Sequence, residues 1–133
     1  MTAHDDFEIR VSIASVEDVV EARQQGRALA AALGFSPSEA TLFAAAISEL
    51  ARNIVTYAGQ GEISIGRTSD SSLLLVARDR GPGIADVDTA LRSGYSTSGG
   101  LGLGLAGVRR IADHFEIESN SNGTTVTLVK ARR

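Results

Sequence analysis

Cysteine and tryptophan are absent from this 133-residue chain, lysine occurs once, at Lys130, and histidine twice, at His4 and His114. Without cysteine there can be no disulfide, no thiolate metal site and no thiol nucleophile, which suits a reducing cytoplasm. Two histidines cannot build a multi-histidine metal cluster. No apolar run approaches the ~20 residues of a membrane span. The opening "MTAHDDFEIR" lacks the basic and apolar regions of a signal peptide. The expectation is a cytoplasmic protein with no membrane partner. Charge is also sparing, with a net −3 split as 4 basic against 9 acidic residues over 1–66 and 9 against 7 over 67–133. That balance is too mild for the strongly basic face of a nucleic-acid binder, so no nucleic-acid partner is expected.

What is present is enough apolar surface, 43% of residues, for one core, and the length suits a single domain over 1–133. Phe7, Ile9, Val11 and Ile13 alternate with polar residues, the period of a half-buried strand over 7–13. Ser15 has the character of an N-cap, with Asp18 in the capping-box position, and opens a helix that runs to Leu33 and stops at Gly34. Ser36-Pro37 starts a second helix, over 38–58, whose Phe43, Ile47, Leu50 and Ile54 form one buried stripe before Gly59. Strands follow at 62–68 and 73–79; the second is apolar without alternation and is expected at the sheet centre. A short helix over 85–91, a helix over 102–114 and a closing hairpin, 115–119 and 124–130, complete the order. The fold class this predicts is a two-layer α/β sandwich, with a mixed, mostly antiparallel sheet and helices on one face.

Three polar features interrupt that apolar framework. Glu49 and Asn53, spaced i, i+4, share one helix face about 100° round from Leu50 and Ile54, at the margin of the buried stripe. A solvated helix edge is the plain alternative, but a carboxylate can accept a proton from a hydroxyl and an amide oxygen is a hard ligand suited to Mg²⁺. Asp79 ends the apolar strand and is followed by Gly81, Pro82 and Gly83, so an acceptor-only carboxylate stands beside bare backbone. This suits the amino edge and flat face of a purine; common turn chemistry is the alternative. The third feature is "SGYSTSGGLGLGLAGVRR", where six of the fourteen glycines, Gly94, Gly99, Gly100, Gly102, Gly104 and Gly107, lie directly before an amphipathic helix. Each costs about 0.5–1 kcal/mol relative to alanine if ordered in a helix or strand. Successive N–H groups backed by a helix N-terminus offset that cost by binding phosphate. A flexible linker is the alternative, though linkers do not interleave Leu101, Leu103 and Leu105.

Gly102, Gly104 and Gly107 match G-x-G-x-x-G, but no strand precedes them and no βαβ unit holds them, so a dinucleotide fold is rejected. With Lys130 the sole lysine, neither a Walker A loop nor the lysine-bearing strand of a eukaryotic-type protein kinase can be built. Phosphate charge must be met by backbone N–H groups, Mg²⁺ and arginine.

Together "ELARN" (49–53), "DRGPG" (79–83), "GGLGLGL" (99–105) and "GTT" (123–125) resemble, in order, the N box, both glycine boxes and the late threonine element of the GHKL nucleotide-binding superfamily. The likeness spans about 7 to 131. It is similar in particular to the small serine-protein kinases of the bacterial stressosome. The resemblance implies an ATP-binding fold of the Bergerat type with ATP and Mg²⁺ as cofactors. It implies Glu49 as general base, Asn53 as Mg²⁺ ligand, and Asp79 as acceptor for the adenine amino group with Gly81 and Gly83 under the base. Gly99, Gly100, Leu101, Gly102, Leu103 and Gly104 would form the phosphate-contacting loop, and Thr124 would reach adenine. Fifteen residues separate Gly83 from Gly99, which implies a shorter ATP lid than that of sensor histidine kinases. Arg109 or Arg110 could add charge at the phosphates; a solvated basic pair is the plainer alternative. The partners implied are a STAS-domain protein as substrate and scaffold, and a PP2C-type phosphatase activated on release. Two other functions fit the same fold: an anti-sigma factor that sequesters a sigma factor, and an ATPase acting on water.

Overall fold

The alternating segment at the start of the chain forms an edge strand, and each later apolar pattern becomes an element packed on one sheet. The computed structural model describes residues 6–84, 87, 91 and 104–132. In order these are β1 (Asp6–Ile13), α1 (Val16–Ala32), α2 (Pro37–Asn53), a π-helical turn (Ile54–Ala58), β2 (Gly61–Arg67), β3 (Leu73–Asp79), α3 (Gly104–Ile111), β4 (His114–Asn120) and β5 (Gly123–Lys130). The short helix expected over 85–91 lies outside the described residues apart from Val87 and Leu91, as do Gly94 and residues 99–103.

Both long helices are capped by their own sequence. Ser15 Oγ accepts from the Asp18 N–H at 3.4 Å, and the Asp18 carboxylate reaches back to the Ala14 N–H at 2.9 Å. Ser36 and Glu39 make the full reciprocal box, each side chain accepting from the other's backbone N–H at 3.1 Å. Helix α2 ends earlier than 58. After Asn53 the chain widens into the π-helical turn, closed by the Gly59 N–H on the Ile54 carbonyl at 2.8 Å, with Gly59 at φ +86°.

The sheet order is β1-β2-β3-β5-β4, with β3 central as expected. Every pairing in it is antiparallel, so the mixed character expected is absent among the described residues. Two features of the path explain this. Helices α1 and α2 run against each other, so they return the chain to the end of the sheet that β1 left, and β2 must run back down. Strands β3 and β4 do run in the same direction, but β5 inserts between them and keeps them from pairing.

Phe43, Ile47, Leu50 and Ile54 are buried against Ile63, Ile65, Leu73, Leu75, Val126 and Leu128, and α3 adds Leu105 and Val108 to the same core. The path also fixes a polar end. Gly61 at the start of β2, Asp79 at the end of β3 and Thr124 at the start of β5 fall at one end of the strands, because Asp79 pairs with both others, and the π-helical turn after Asn53 leads into β2 at that same end. Lys130 lies at the opposite edge, opposite Leu73.

Phe43→Ala removes the largest fully buried side chain and is expected to destabilise the fold by about 3–5 kcal/mol. Ser36→Ala, which breaks only the cap, costs about 1 kcal/mol. Urea-unfolding midpoints of the two variants separate these outcomes.

Candidate functional site

Glu49 does not sit at a margin. Its side chain is fully buried, whereas Leu42, on the same helical row seven residues earlier, is 44% exposed. Burial on this row therefore does not follow polarity: the apolar Leu42 is exposed, while Ala46 and the acid Glu49 are both enclosed. Helix α2 is flanked by α1 and α3 and lies over the sheet. This crowding near the polar end of α2 is invisible in the helix period alone.

A buried carboxylate needs partners, and Glu49 has one. Its Oε1 accepts from Arg52 Nη2 at 3.3 Å, an i, i+3 pair on the last turn of α2. Among the described residues its buried Oε2 has no hydrogen-bond partner, and neither has the buried Nε of Arg52. Such orphans are rare and call for an explanation. Asn53, four residues on from Glu49, is half-buried at the junction of α2 and the π-helical turn.

At the end of β3, Asp79 Oδ1 accepts from two backbone donors, Gly81 N–H at 2.9 Å and Thr124 N–H at 3.3 Å. These two bonds orient the carboxylate and leave Oδ2 as its remaining acceptor. Thr124 Oγ1 shares a hydrogen bond with Ser119 Oγ at 2.7 Å, and Ser119 Oγ accepts from the Ile84 N–H at 2.6 Å. A continuous chain thus links the backbone beyond Gly83 to Asp79 through two hydroxyls and one amide. Ser119 has this role because the β4–β5 register places it opposite Thr124.

Gly81 and Gly83 are required by packing in their own right. A Cβ on Gly81 would come within 2.6 Å of Ala58 Cβ, and Gly83, at φ +86°, has the Asn120 carbonyl where its Cβ would stand. The contact with Ala58 matters most. It seats the segment after Asp79 directly on the π-helical turn that follows Asn53, so Glu49 and Asn53 share one end of the molecule with Asp79 and Thr124.

Of the glycine loop, Gly99, Gly100, Leu101, Gly102 and Leu103 lie outside the described residues; Gly104 opens α3, buried, at φ +68°. Arg109 and Arg110 are both exposed on α3, and Arg109 Nη2 donates to the Leu91 carbonyl at 3.5 Å. Among the described residues no group of three His, Asp or Glu side chains could hold a metal ion, and no helix is long and apolar enough to cross a membrane. Sequence reading missed Arg52 and Ser119. Arg52 carried a signal, since it stands i, i+3 from Glu49; Ser119 carried none until the hairpin register was known.

Residues 13–130 match the histidine kinase-like ATPase domain family. The chain is 45% identical over 124 residues to the serine/threonine-protein kinase RsbT of Bacillus subtilis, covering 90% of this chain and 93% of that one. It therefore belongs to the histidine kinase-like ATPase family, as an ATP-using enzyme of the serine/threonine-protein kinase class. Among solved structures, the RsbU and RsbW domains of a Mycobacterium tuberculosis protein share the fold with a TM-score of 0.66 at 20% identity, over 93% of this chain and 32% of that one. The SiaB–SiaC complex of Pseudomonas aeruginosa matches at TM-score 0.68 and 16% identity, over 96% of this chain and 93% of the matched one.

Ser119→Ala leaves the Ile84 N–H without its acceptor and Thr124 Oγ1 without its partner. The expected result is faster hydrogen exchange at the Ile84 amide and a stability loss of about 1–2 kcal/mol. Unchanged exchange at that amide would show that the bond does not hold the segment.

Proposed function

We propose that this kinase transfers the γ-phosphoryl group of ATP to a serine or threonine hydroxyl of a STAS-domain protein. We further propose that, once released from that protein, it binds and activates a PP2C-type phosphatase in bacterial stress signalling. The observation that carries the catalytic part is Glu49 Oε2, an acceptor held inside the protein with no partner among the described residues. An unmade bond of this kind costs about 1–3 kcal/mol, and a proton-accepting role accounts for its retention. The likeness to RsbT supports the serine or threonine acceptor and the signalling role.

In this reading Asp79 accepts a hydrogen bond from the adenine amino group on Oδ2, since Oδ1 is already committed to two backbone donors. Gly81 and Gly83 bring bare backbone under the base, and Thr124 completes the contact to adenine. Asn53 offers a hard carboxamide oxygen one turn beyond Glu49, and the residues present fit a Mg²⁺ held mainly by phosphate oxygens and water with one protein ligand. When bound, the ion neutralises charge on the β- and γ-phosphates. The backbone of residues 99–104 supplies N–H groups to the phosphates. Glu49 Oε2 accepts the hydroxyl proton as the acceptor oxygen bonds to phosphorus; the bond from phosphorus to the β,γ-bridging oxygen breaks and ADP leaves. Positioning and charge stabilisation supply most of the rate.

Incubation with labelled MgATP and a STAS-domain acceptor tests this. Glu49→Gln, which keeps the shape but not the basicity, is expected to slow transfer about 10²–10⁴-fold while binding ATP normally; full transfer would remove Glu49 from the role. In Asp79→Asn the amide oxygen replaces Oδ1 and the NH₂ then faces the adenine amino group, donor against donor. ATP affinity is expected to fall about 10–100-fold by calorimetry. Label appearing only as free phosphate, with or without acceptor, would favour hydrolysis; retention of a sigma factor in place of a STAS protein in a pull-down would favour the anti-sigma reading.

A further inference from the structure

The geometry points to Arg52 as a second catalytic residue, one that donates from Nε to an oxygen of the phosphoryl group in transfer. This rests on the reading that Glu49 accepts the proton of the attacking hydroxyl.

Phosphoryl transfer spreads negative charge over the three equatorial oxygens of the moving group, so a cationic donor beside the attack position lowers the barrier. The described residues leave few candidates. Lys130 is at the far edge of the sheet. Arg109 and Arg110 are exposed on α3, and Arg109 is engaged by the Leu91 carbonyl. Arg78 and Arg80, which flank Asp79, are exposed at the edge proposed for adenine, away from the reacting end of the nucleotide. Arg52 is beside the base itself.

Among the described residues its guanidinium makes one ion pair, from Nη2 to Glu49 Oε1 at 3.3 Å, and its buried Nε has no partner. Nε is two bonds from Nη2, and the orphaned Oε2 of Glu49 is two bonds from Oε1. An unused donor and an unused acceptor therefore flank one ion-pair contact. An ion pair that served stability alone would have no use for either orphan, because the fork of an arginine can meet both oxygens of a carboxylate. The one-sided pairing fixes Glu49 through Oε1 and leaves both remaining atoms for the reaction. Oε2 takes the hydroxyl proton, while the Nε–H meets the charge that grows on the phosphoryl group bonded to that same hydroxyl oxygen. No atom is transferred to or from Arg52.

Arg52→Lys is the decisive variant, since it keeps a cation for Glu49 Oε1 but has no Nε–H. With MgATP and the STAS-domain acceptor it is expected to lower kcat about 10²-fold with KM for ATP little changed. A second measurement is independent of acceptor and proton transfer. Binding of ADP, magnesium and aluminium fluoride, whose planar fluoride mimics the phosphoryl in flight, should weaken about 10²-fold in Arg52→Lys while ADP alone binds as in wild type. The same loss should appear when Arg52→Lys is combined with Glu49→Gln, so this arm stands even if Glu49 proves not to be the base. Wild-type kcat and wild-type aluminium fluoride binding in Arg52→Lys would overturn the proposal. Equal weakening of ADP and ADP–aluminium fluoride would overturn it too, by assigning Arg52 a purely structural part. Circular dichroism of each variant verifies that the fold is kept, and Arg52→Gln, lacking the cation altogether, should be at least as slow as Arg52→Lys.

Discussion

The stripe of Phe43, Ile47, Leu50 and Ile54 has to lie on the central strands, and most of what is polar in this protein is placed by that requirement. Packing the stripe fixes the roll of α2 about its axis. With the roll fixed, Glu49 turns inward and cannot escape to solvent, although a carboxylate left free would do so. The same stripe carries the chain through Ile54 into the π-helical turn, whose Ala58 is the floor on which Gly81 rests. Hydrophobic burial, which has no direction of its own, thereby sets the position of two polar clusters that lie 30 residues apart in sequence.

The two clusters are built on different principles. Around Asp79 nearly every polar atom is spoken for: backbone amides fill Oδ1, and Ser119 and Thr124 satisfy each other and the Ile84 N–H. That saturation gives a rigid acceptor edge, appropriate to recognising one flat group the same way each time. Around Glu49 the described residues leave the accounting open on both sides of the ion pair. An open valence inside a protein is costly while nothing occupies it, and sites that do chemistry are where such costs are kept.

Much of this was legible in the sequence because the governing signals are local. Alternation gave β1, the 4-3-4 spacing gave the buried face of α2, the unbroken apolar run gave the central position of β3, and serine caps gave both helix starts. The failures share a cause, which is that burial and pairing depend on elements remote in the chain. Periodicity places Leu42 and Glu49 on one row but cannot say that the apolar residue ends up exposed and the acid enclosed, since α1, α3 and the sheet decide that. The order of elements permits a mixed sheet, and only the insertion of β5 between β3 and β4 excludes a parallel pair. Arg52 stands inside the ELARN motif, but spacing alone cannot show that Nη2 meets Glu49 Oε1 while Nε has no partner among the described residues. Ser119 became visible only through the register of a hairpin that sequence located but could not align atom by atom.

The insertion of β5 also makes its neighbours depend on it. A strand that emerges late in synthesis occupies the middle of the sheet, so β4 has no neighbour and β3 only one until β5 arrives. Pairings between strands distant in sequence, β1 with β2 and β3 with β5, carry a larger loop-closure cost than the local α1–α2 and β4–β5 hairpins. Asp79 has its Thr124 donor only through the β3–β5 pairing. The Asp79 carboxylate therefore reaches its two-donor geometry only once β5, whose Thr124 lies 45 residues further along the chain, has paired with β3.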